Sequence, residues 1–587
     1  MKRFFQTFLA CLAAIFASFI LVAIFSMFLF SGLMAVIYTK DTTTVKSGSV
    51  LKIELSEIIT DAPPQFFLNE LNPFSMTIKR RMSLLDVINT IEKASFDKNI
   101  DGIYLNINPN MSAGIATLEE IRNELVRFKS SGKFIVSYAD YYTQSSYYLS
   151  SVADKVFINP EGNLSWKGMS SQVLFYKGLL DKLGIKAEVV RVGDYKSAVE
   201  PFTSDRMSPE NKRQTAELIG GIWGNLVREI SVSRSLDSAL LQSYASDLAI
   251  SNPQDAYELG LVDSIAYVDQ VSDYLASLTD KNDNPDIVNF YSYLSPISEG
   301  SRNKNKIAVI FAEGEIVDGR APDGYVGSRN MRVELRSALE DKDVKAVVLR
   351  VNSPGGSALA SEVIWREVSE MKKEKPIVVS MGNYAASGGY YIAAPADFIF
   401  ANRSTITGSI GVFGLMLNVE DGLKDKLGIT VDGVTTNTYS DLASPFRPLE
   451  EKERRYLQNS VEEVYESFVE HVANGRNLTE DRVKEIGGGR VWSGVEADRI
   501  GLIDSHGGIK EAILFAADMV GIIDNFSIIT KQAEDDLLNS LLRNFFMVKS
   551  KSKIDFDGIS VDISEFEKIM EYRKGVQALL PYKIYIQ

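Results

Sequence analysis

The chain has 587 residues, with 63 Lys and Arg against 77 Asp and Glu, a net charge of −14. That length calls for more than one core, and the acidic balance argues against nucleic acid as a partner, since phosphate binding wants clustered Lys and Arg. A single cysteine, Cys11, excludes an internal disulfide framework, and with only two histidines a His/Cys zinc site is nearly excluded; we expect no metal and no cofactor. His471 lies in Val-Glu-His-Val within a charged helical pattern and His506 in a Ser-His-Gly-Gly turn. Both read as surface and turn residues, so a nucleophilic hydrolase built from this chain must find its base elsewhere.

Lys2 and Arg3 precede residues 4–38, a stretch without charge. A bilayer core needs about 20 apolar residues, whereas the core of a cleaved signal peptide has only about 7–15. No small-residue cleavage site follows at Tyr38-Thr39-Lys40-Asp41. The run predicts an uncleaved transmembrane helix within residues 1–40. Its positive end stays cytoplasmic, with the rest of the chain across the membrane.

Beyond the anchor the chain repeats. Tyr147-Tyr148 falls on Tyr390-Tyr391, an offset of 243 residues (390 − 147). In that register Ala153-Asp154 falls on Ala396-Asp397, Asn159 on Asn402 and Gly168 on Gly411. A period this long signals a duplicated domain rather than a solenoid. Each copy alternates strand and helix patterns, which argues α/β with parallel pairing. In the first copy strands are expected at 103–107, 134–138 and 155–158, with helices at 118–128 and 144–152. The second copy predicts strands at 306–311, 344–351, 377–381 and 397–401, with helices at 331–339, 359–371 and 384–394. A long charged helix follows each core, at 209–233 and 449–474. A Ser-, Gly- and Asn-rich linker near 294–305 separates a first domain, 41–300, from a second, 301–525. The tail, 526–587, has no counterpart in the repeat. Segment 61–68, with Phe74 and Met76 nearby, reads as a candidate interface or rim segment of an apolar groove, or as an ordinary loop with buried aromatics.

The chemistry lies in what the copies do not share. Asn352-Ser-Pro-Gly-Gly-Ser follows a buried strand, and Gly355 and Gly356 allow a tight turn with bare N–H groups able to hold an oxyanion. Ala385-Ala-Ser-Gly-Gly follows the next strand, where small neighbours let a carbonyl approach the Ser387 hydroxyl. In the repeat register Ser387 falls on Gln144 and the glycine pair on Ser112-Ala113. Conversely, the first copy has Lys196, in Gly193-Asp-Tyr-Lys-Ser-Ala-Val-Glu-Pro-Phe, where the second has Ser440. Complementary loss of this kind is expected when two copies build one site. A lysine acts as a base only when neutral, so its pKa must fall far below about 10.4; Ser–Lys pairs activate a nucleophile without histidine.

Together, Asn352-Ser-Pro-Gly-Gly, Ala385-Ala-Ser-Gly-Gly-Tyr, Thr407-Gly-Ser-Ile-Gly and Tyr195-Lys-Ser-Ala-Val-Glu-Pro-Phe closely resemble the signal peptide peptidase A (protease IV) family in its long, duplicated form, over roughly residues 45–520 and the anchor. The resemblance implies two tandem ClpP/crotonase-like domains and a serine protease with Ser387 as nucleophile and Lys196 as base. It further implies oxyanion donors from Gly388 and from Gly355 or Gly356, with Ser409 orienting the lysine; the counterpart of Ser409 is Trp166. It also implies a homotetramer on the bacterial inner membrane, with the catalytic domains on the periplasmic side, degrading leftover signal peptides and other apolar peptide segments. Two competing readings are a catalytically silent membrane scaffold and an acyl-CoA enzyme of crotonase type.

Overall fold

The computed structural model describes residues 2–38, 45–63 without 56 and 57, 82–279 without 110, 284–294, 303–531 without 323, and the segments 553–556, 559–562 and 576–579. Most of the linker at 294–305, Phe74, Met76, most of the 61–68 rim and most of the tail lie outside the described residues.

Lys2–Tyr38 is one helix of 37 residues. Its stretch Arg3–Val22 has a mean hydropathy of 2.2 and none of it is buried against the protein. Among the described residues it is the one helix long and apolar enough to cross a membrane.

The duplication is visible in the sheets. The first half is a parallel sheet with strands in the order Ser264–Ile265, Lys155–Leu164, Phe134–Tyr142, Ile100–Leu105, Ser49–Ile53, Asp286–Asn289. The second half repeats that order with Ser505–His506, Phe398–Ala401, Ile377–Ala386, Val344–Ser353, Lys306–Glu313 and Ser527–Lys531. The central strands, such as Val344–Ser353, Lys306–Glu313 and Ile377–Ala386, are largely buried runs rich in Val and Ile, the pattern of parallel sheets covered by helices. The two tandem α/β units expected from the repeat are therefore there.

Two expectations need correction. The reading that the tail, 526–587, has no counterpart in the repeat fails at Ser527–Lys531. That strand pairs with Lys306–Glu313 as Asp286–Asn289 pairs with Ser49–Ile53. The helix expected over 384–394 begins only at Gly388. Residues Tyr384 to Ala386 instead continue the strand, because Ile406–Gly408 pairs with them and Asn352 accepts the Tyr384 amide at 3.1 Å. Small apolar residues do not by themselves separate strand from helix.

The halves are joined by buried polar contacts. Arg350, completely buried, forms ion pairs with Asp61 and Glu120, each at 2.7 Å. Glu120 also accepts from Asn402 at 2.8 Å and from the Ile509 amide at 2.7 Å. Glu119 accepts the amides of Arg403 and Ser404 at 3.0 and 3.1 Å. Burial, reinforced by Glu229, pushes its carboxyl up to about 7. Asp61, the start of the segment read as interface or rim, thus lies between the two halves.

A third sheet crosses between the halves. Its order is Tyr325–Gly327, Glu315–Val317, Gly355–Ser357, Gln577–Leu579, Phe413–Asn418, Lys186–Arg191. The last strand belongs to the first half and runs antiparallel to Phe413–Asn418 over six residue pairs. This sheet brings the glycine pair of the second half and the lysine loop of the first to one place.

Candidate active site

Ser387 sits where the strand Ile377–Ala386 ends and the helix Gly388–Ala393 begins. Its φ of 55° and ψ of −117° lie in a region that side chains other than glycine rarely adopt, a strained turn held by its surroundings. The hold is visible: the Ser387 amide donates to Gly408 O and its carbonyl accepts from Tyr391 N, both at 2.8 Å. The side chain makes no N-cap hydrogen bond, so the hydroxyl is not spent on the helix. The flanking glycines are steric necessities. A Cβ on Gly388 would fall 2.5 Å from Ser361 Oγ, and one on Gly389 2.6 Å from Ser353 O.

Lys196 enters from the first half on the loop before the short helical turn Ser197–Val199. That loop lies directly on the Gly487-Gly488-Gly489 loop of the second half. A Cβ on Gly489, whose φ is +82°, would fall 2.6–2.7 Å from Lys196 N, Cα and Cβ. Gln214, on the helix Pro209–Arg234, pins the arrangement from the side. Its amide nitrogen donates to Tyr195 O at 3.2 Å and Ser197 Oγ at 3.1 Å, and its oxygen accepts Val491 N at 3.3 Å.

The lysine ammonium nitrogen, Nζ, ends 2.8 Å from Ser387 Oγ, 3.1 Å from Ser409 Oγ and 3.3 Å from Ser409 O. All three residues are completely buried. Burial alone holds the Lys196 pKa well below its ordinary value, because the charged form is disfavoured away from water. Ser409, with φ 52°, is set in place by its amide donating to Arg490 O at 2.7 Å. His471 pairs with Glu362 at 3.0 Å and stacks on Trp365, with ring centroids 3.6 Å apart. His506 faces Ala401 O at 3.4 Å. Neither histidine is hydrogen-bonded to Ser387.

Gly355 and Gly356 line the other side. Their φ values are +99° and +154°; a Cβ on Gly355 would fall 2.7 Å from Gly388 N, and one on Gly356 2.0 Å from Ile316 O. The Gly355 amide donates to Ser353 Oγ at 3.2 Å, and Gly356 pairs with Ile316 on one side and Ala578 on the other. All six residues singled out in the sequence, Ser387, Lys196, Ser409, Gly355, Gly356 and Gly388, thus converge. Sequence reasoning missed Gln214, the Gly487–Gly489 loop and the strand Gln577–Leu579. The triple glycine was readable as a close-approach signal, whereas nothing marked Gln214.

A buried serine on a strained strand-to-helix turn, hydrogen-bonded to a desolvated amine, is an arrangement suited to a serine-hydrolase class of site. The sequence model of peptidase family S49 matches residues 127–282 and 369–522. Protease 4 of Haemophilus influenzae is 34% identical over 555 residues, which cover 90% of this chain and 89% of that one. Protease 4 of Salmonella typhi is 38% identical over 450 residues, 74% of this chain and 72% of that one. The chloroplastic serine protease SPPA of Arabidopsis thaliana is 32% identical over 488 residues, 81% and 70% respectively. Among solved structures, ClpP1 of Listeria monocytogenes aligns with 35% of this chain and 94% of its own, with a TM-score of 0.23 and 13% identity. The chain belongs to peptidase family S49 and is a serine protease.

Proposed function

We propose that the protein is a membrane-anchored endopeptidase working through a Ser387–Lys196 dyad, with signal peptides left in the membrane as substrates. The observation that carries the reading is the 2.8 Å contact between Lys196 Nζ and Ser387 Oγ in a fully buried setting. A neutral amine has two N–H bonds and one lone pair. The lone pair accepts the Ser387 hydroxyl while the N–H bonds reach Ser409 Oγ and O. As Oγ attacks a peptide carbonyl, its proton passes to Nζ. The oxyanion takes the amides of Gly388 and Gly356, donors fixed before the reaction and needing no reorganisation. The ammonium then protonates the leaving amine, and water releases the acyl group by the same route in reverse.

The apolar helix Arg3–Val22 supports anchoring, and Lys2 and Arg3 place its start on the cytoplasmic side by the positive-inside tendency. The site then lies across the bacterial inner membrane, on the periplasmic side, where spent signal peptides remain. The family resemblance extends the reading to a homotetramer, which sedimentation in detergent would measure. The silent-scaffold reading has the intact dyad against it. The acyl-CoA reading has against it a nucleophilic serine that such chemistry does not need. The deciding experiment is hydrolysis of a synthetic signal peptide by the purified protein and by Ser387→Ala. Turnover only in the former is expected, and equal turnover would overturn the assignment.

A further inference from the structure

The strand that delivers Ser387 is not regular. Ile377–Ala386 pairs with Val344–Ser353 one residue to one as far as Val351↔Met381, and pairing resumes at Ser353↔Ala385. Asn352 alone therefore faces Gly382, Asn383 and Tyr384. An insertion of this kind bends a strand and re-aims the side chains beyond it, and Ser387 follows directly on this stretch. Backbone groups that leave the ladder need other partners. Asn352 Oδ1 accepts the Tyr384 amide at 3.1 Å, and Gly382 O accepts Thr405 Oγ1 at 2.8 Å.

The groups that hold the bulge in turn come from the first half. Asn352 Nδ2 donates to Asp61 Oδ2, and Asp61 Oδ1 accepts Arg350 Nε at 2.8 Å. Arg350 also donates to Met381 O at 3.3 Å, at the last regular pair before the bulge. Asn383 Nδ2 donates to Thr117 Oγ1 at 2.8 Å, and its Oδ1 accepts the Thr117 amide at 3.2 Å. The fit is close. A Cβ on Gly382 would fall 3.0 Å from Asn352 Cγ and 3.1 Å from Asp61 Oδ2, and one on Gly114 2.1 Å from Asn383 Oδ1. In the repeat register Asn383 and Tyr384 fall on Asp140 and Tyr141, which are exposed.

We propose that Asp61, acting through Asn352, and Thr117, acting through Asn383, are positioning residues that set this bulge and so aim Ser387 at Lys196. The first half then places the nucleophile as well as supplying the base. The inference rests on the serine–lysine reading.

The test is an exchange of groups, with kcat, KM and melting temperature measured on the purified full chain. Asp61→Asn sets an amide donor against the Asn352 amide or Arg350, and Asn352→Asp sets two carboxylates together. The double variant swaps them. A carboxylate at position 352 accepts from Tyr384 N and from the amide at position 61, whose oxygen still accepts from Arg350. Each single change should lower kcat on a synthetic signal peptide by about 10²-fold with KM within about twofold, the loss expected of a misplacement near 1 Å. The double variant should recover to within about tenfold of wild type. Labelling of Ser387 by a small phosphonate should follow the same order. Single variants with wild-type kcat overturn the inference, as does a double variant that regains the melting temperature but not kcat. If the single variants do not fold, Thr117→Val carries the test, since it removes one hydroxyl. A kcat about tenfold lower at an unchanged melting temperature supports the inference, and an unchanged kcat overturns it. A wild type with neither turnover nor label overturns the serine–lysine reading itself.

Discussion

The two halves keep the same scaffold and differ at the site. Tyr147 donates to Leu261 O at 2.7 Å, and Tyr390 to Leu502 O at 2.8 Å. Asp154 accepts the Ile135 amide at 2.8 Å, and Asp397 the Ile377 amide at 2.9 Å. Arg234 pairs with Asp263, and Arg476 with Asp504, at 2.7 and 2.6 Å. Where the second half has Ser387, the first has Gln144, whose oxygen accepts the Lys167 and Gly168 amides at 2.9 and 2.7 Å and whose nitrogen donates to Gly168 O at 3.0 Å. In place of Ser409 stands Trp166, buried with its indole N–H on Leu241 O at 2.8 Å. Ser440, in place of Lys196, is exposed in a turn. The first half has turned its copy of the site into internal hydrogen bonding and packing while lending one amine to its neighbour. Under the proposed dyad, neither half holds a complete set of reacting groups.

The largest expected effect is on chemistry. Ser387→Ala should lower kcat/KM by about 10⁴–10⁶-fold while leaving the melting temperature close to wild type; near-wild-type turnover would break the contrast between the halves. Next is the junction: Arg350→Ala should destabilise the fold by about 3–5 kcal/mol, since it leaves Asp61 and Glu120 buried without their cation. Urea unfolding reads this, and a change below about 1 kcal/mol would mean the network is not what joins the halves. Gln144→Ser, which writes the nucleophile into the first half, should create no second site because the residue in place of Lys196 is Ser440, exposed in a turn. It should destabilise by about 1–3 kcal/mol through unmet Lys167 and Gly168 amides, measurable in the Ser387→Ala background.

Two subtler changes sharpen the lysine's part. Because its folded-state pKa is depressed, the unfolded chain binds the proton more readily than the folded one below the unfolded value of about 10.4. The resulting stability loss is absent above that value, grows as pH falls toward the folded pKa and levels off below it. Lys196→Met should therefore melt higher than wild type at neutral and acid pH, with the gap closing as pH rises toward about 10.4. Ser409→Ala removes an acceptor that favours the ammonium, so the acid limb of kcat/KM should move to lower pH, with a plateau loss of no more than about 10²-fold. An unmoved limb would show that Ser409 does not position the lysine.

Much of this was legible in the sequence for identifiable reasons. Duplication leaves matched residues at a constant offset, and buried parallel strands leave β-branched runs. Complementary loss singles out Ser387 and Lys196 because each motif survives in one copy. What stayed hidden depends on long-range pairing without local period. The strand Gln577–Leu579 is three residues long, too short to announce itself, and the sheet joining Lys186–Arg191 to Phe413–Asn418 links segments from different halves. Gln214 acts through a single amide on an ordinary amphipathic helix. Arg350 reads as one charge in an apolar strand until Asp61 and Glu120 arrive from the other half.

The central claim, one site assembled from two halves with an amine as its base, is tested most directly by the pH dependence of labelling with a small serine-directed phosphonate. The measurement is made on the wild type and on Lys196→Arg, with the labelled residue located by mass spectrometry. The account predicts label on Ser387 alone, at a rate that rises with pH through a single neutral-to-alkaline limb, and no label in Lys196→Arg, because guanidinium cannot accept the proton. Label on Ser387 at the wild-type rate in Lys196→Arg, or a limb that follows substitution of His471 or His506, would contradict it.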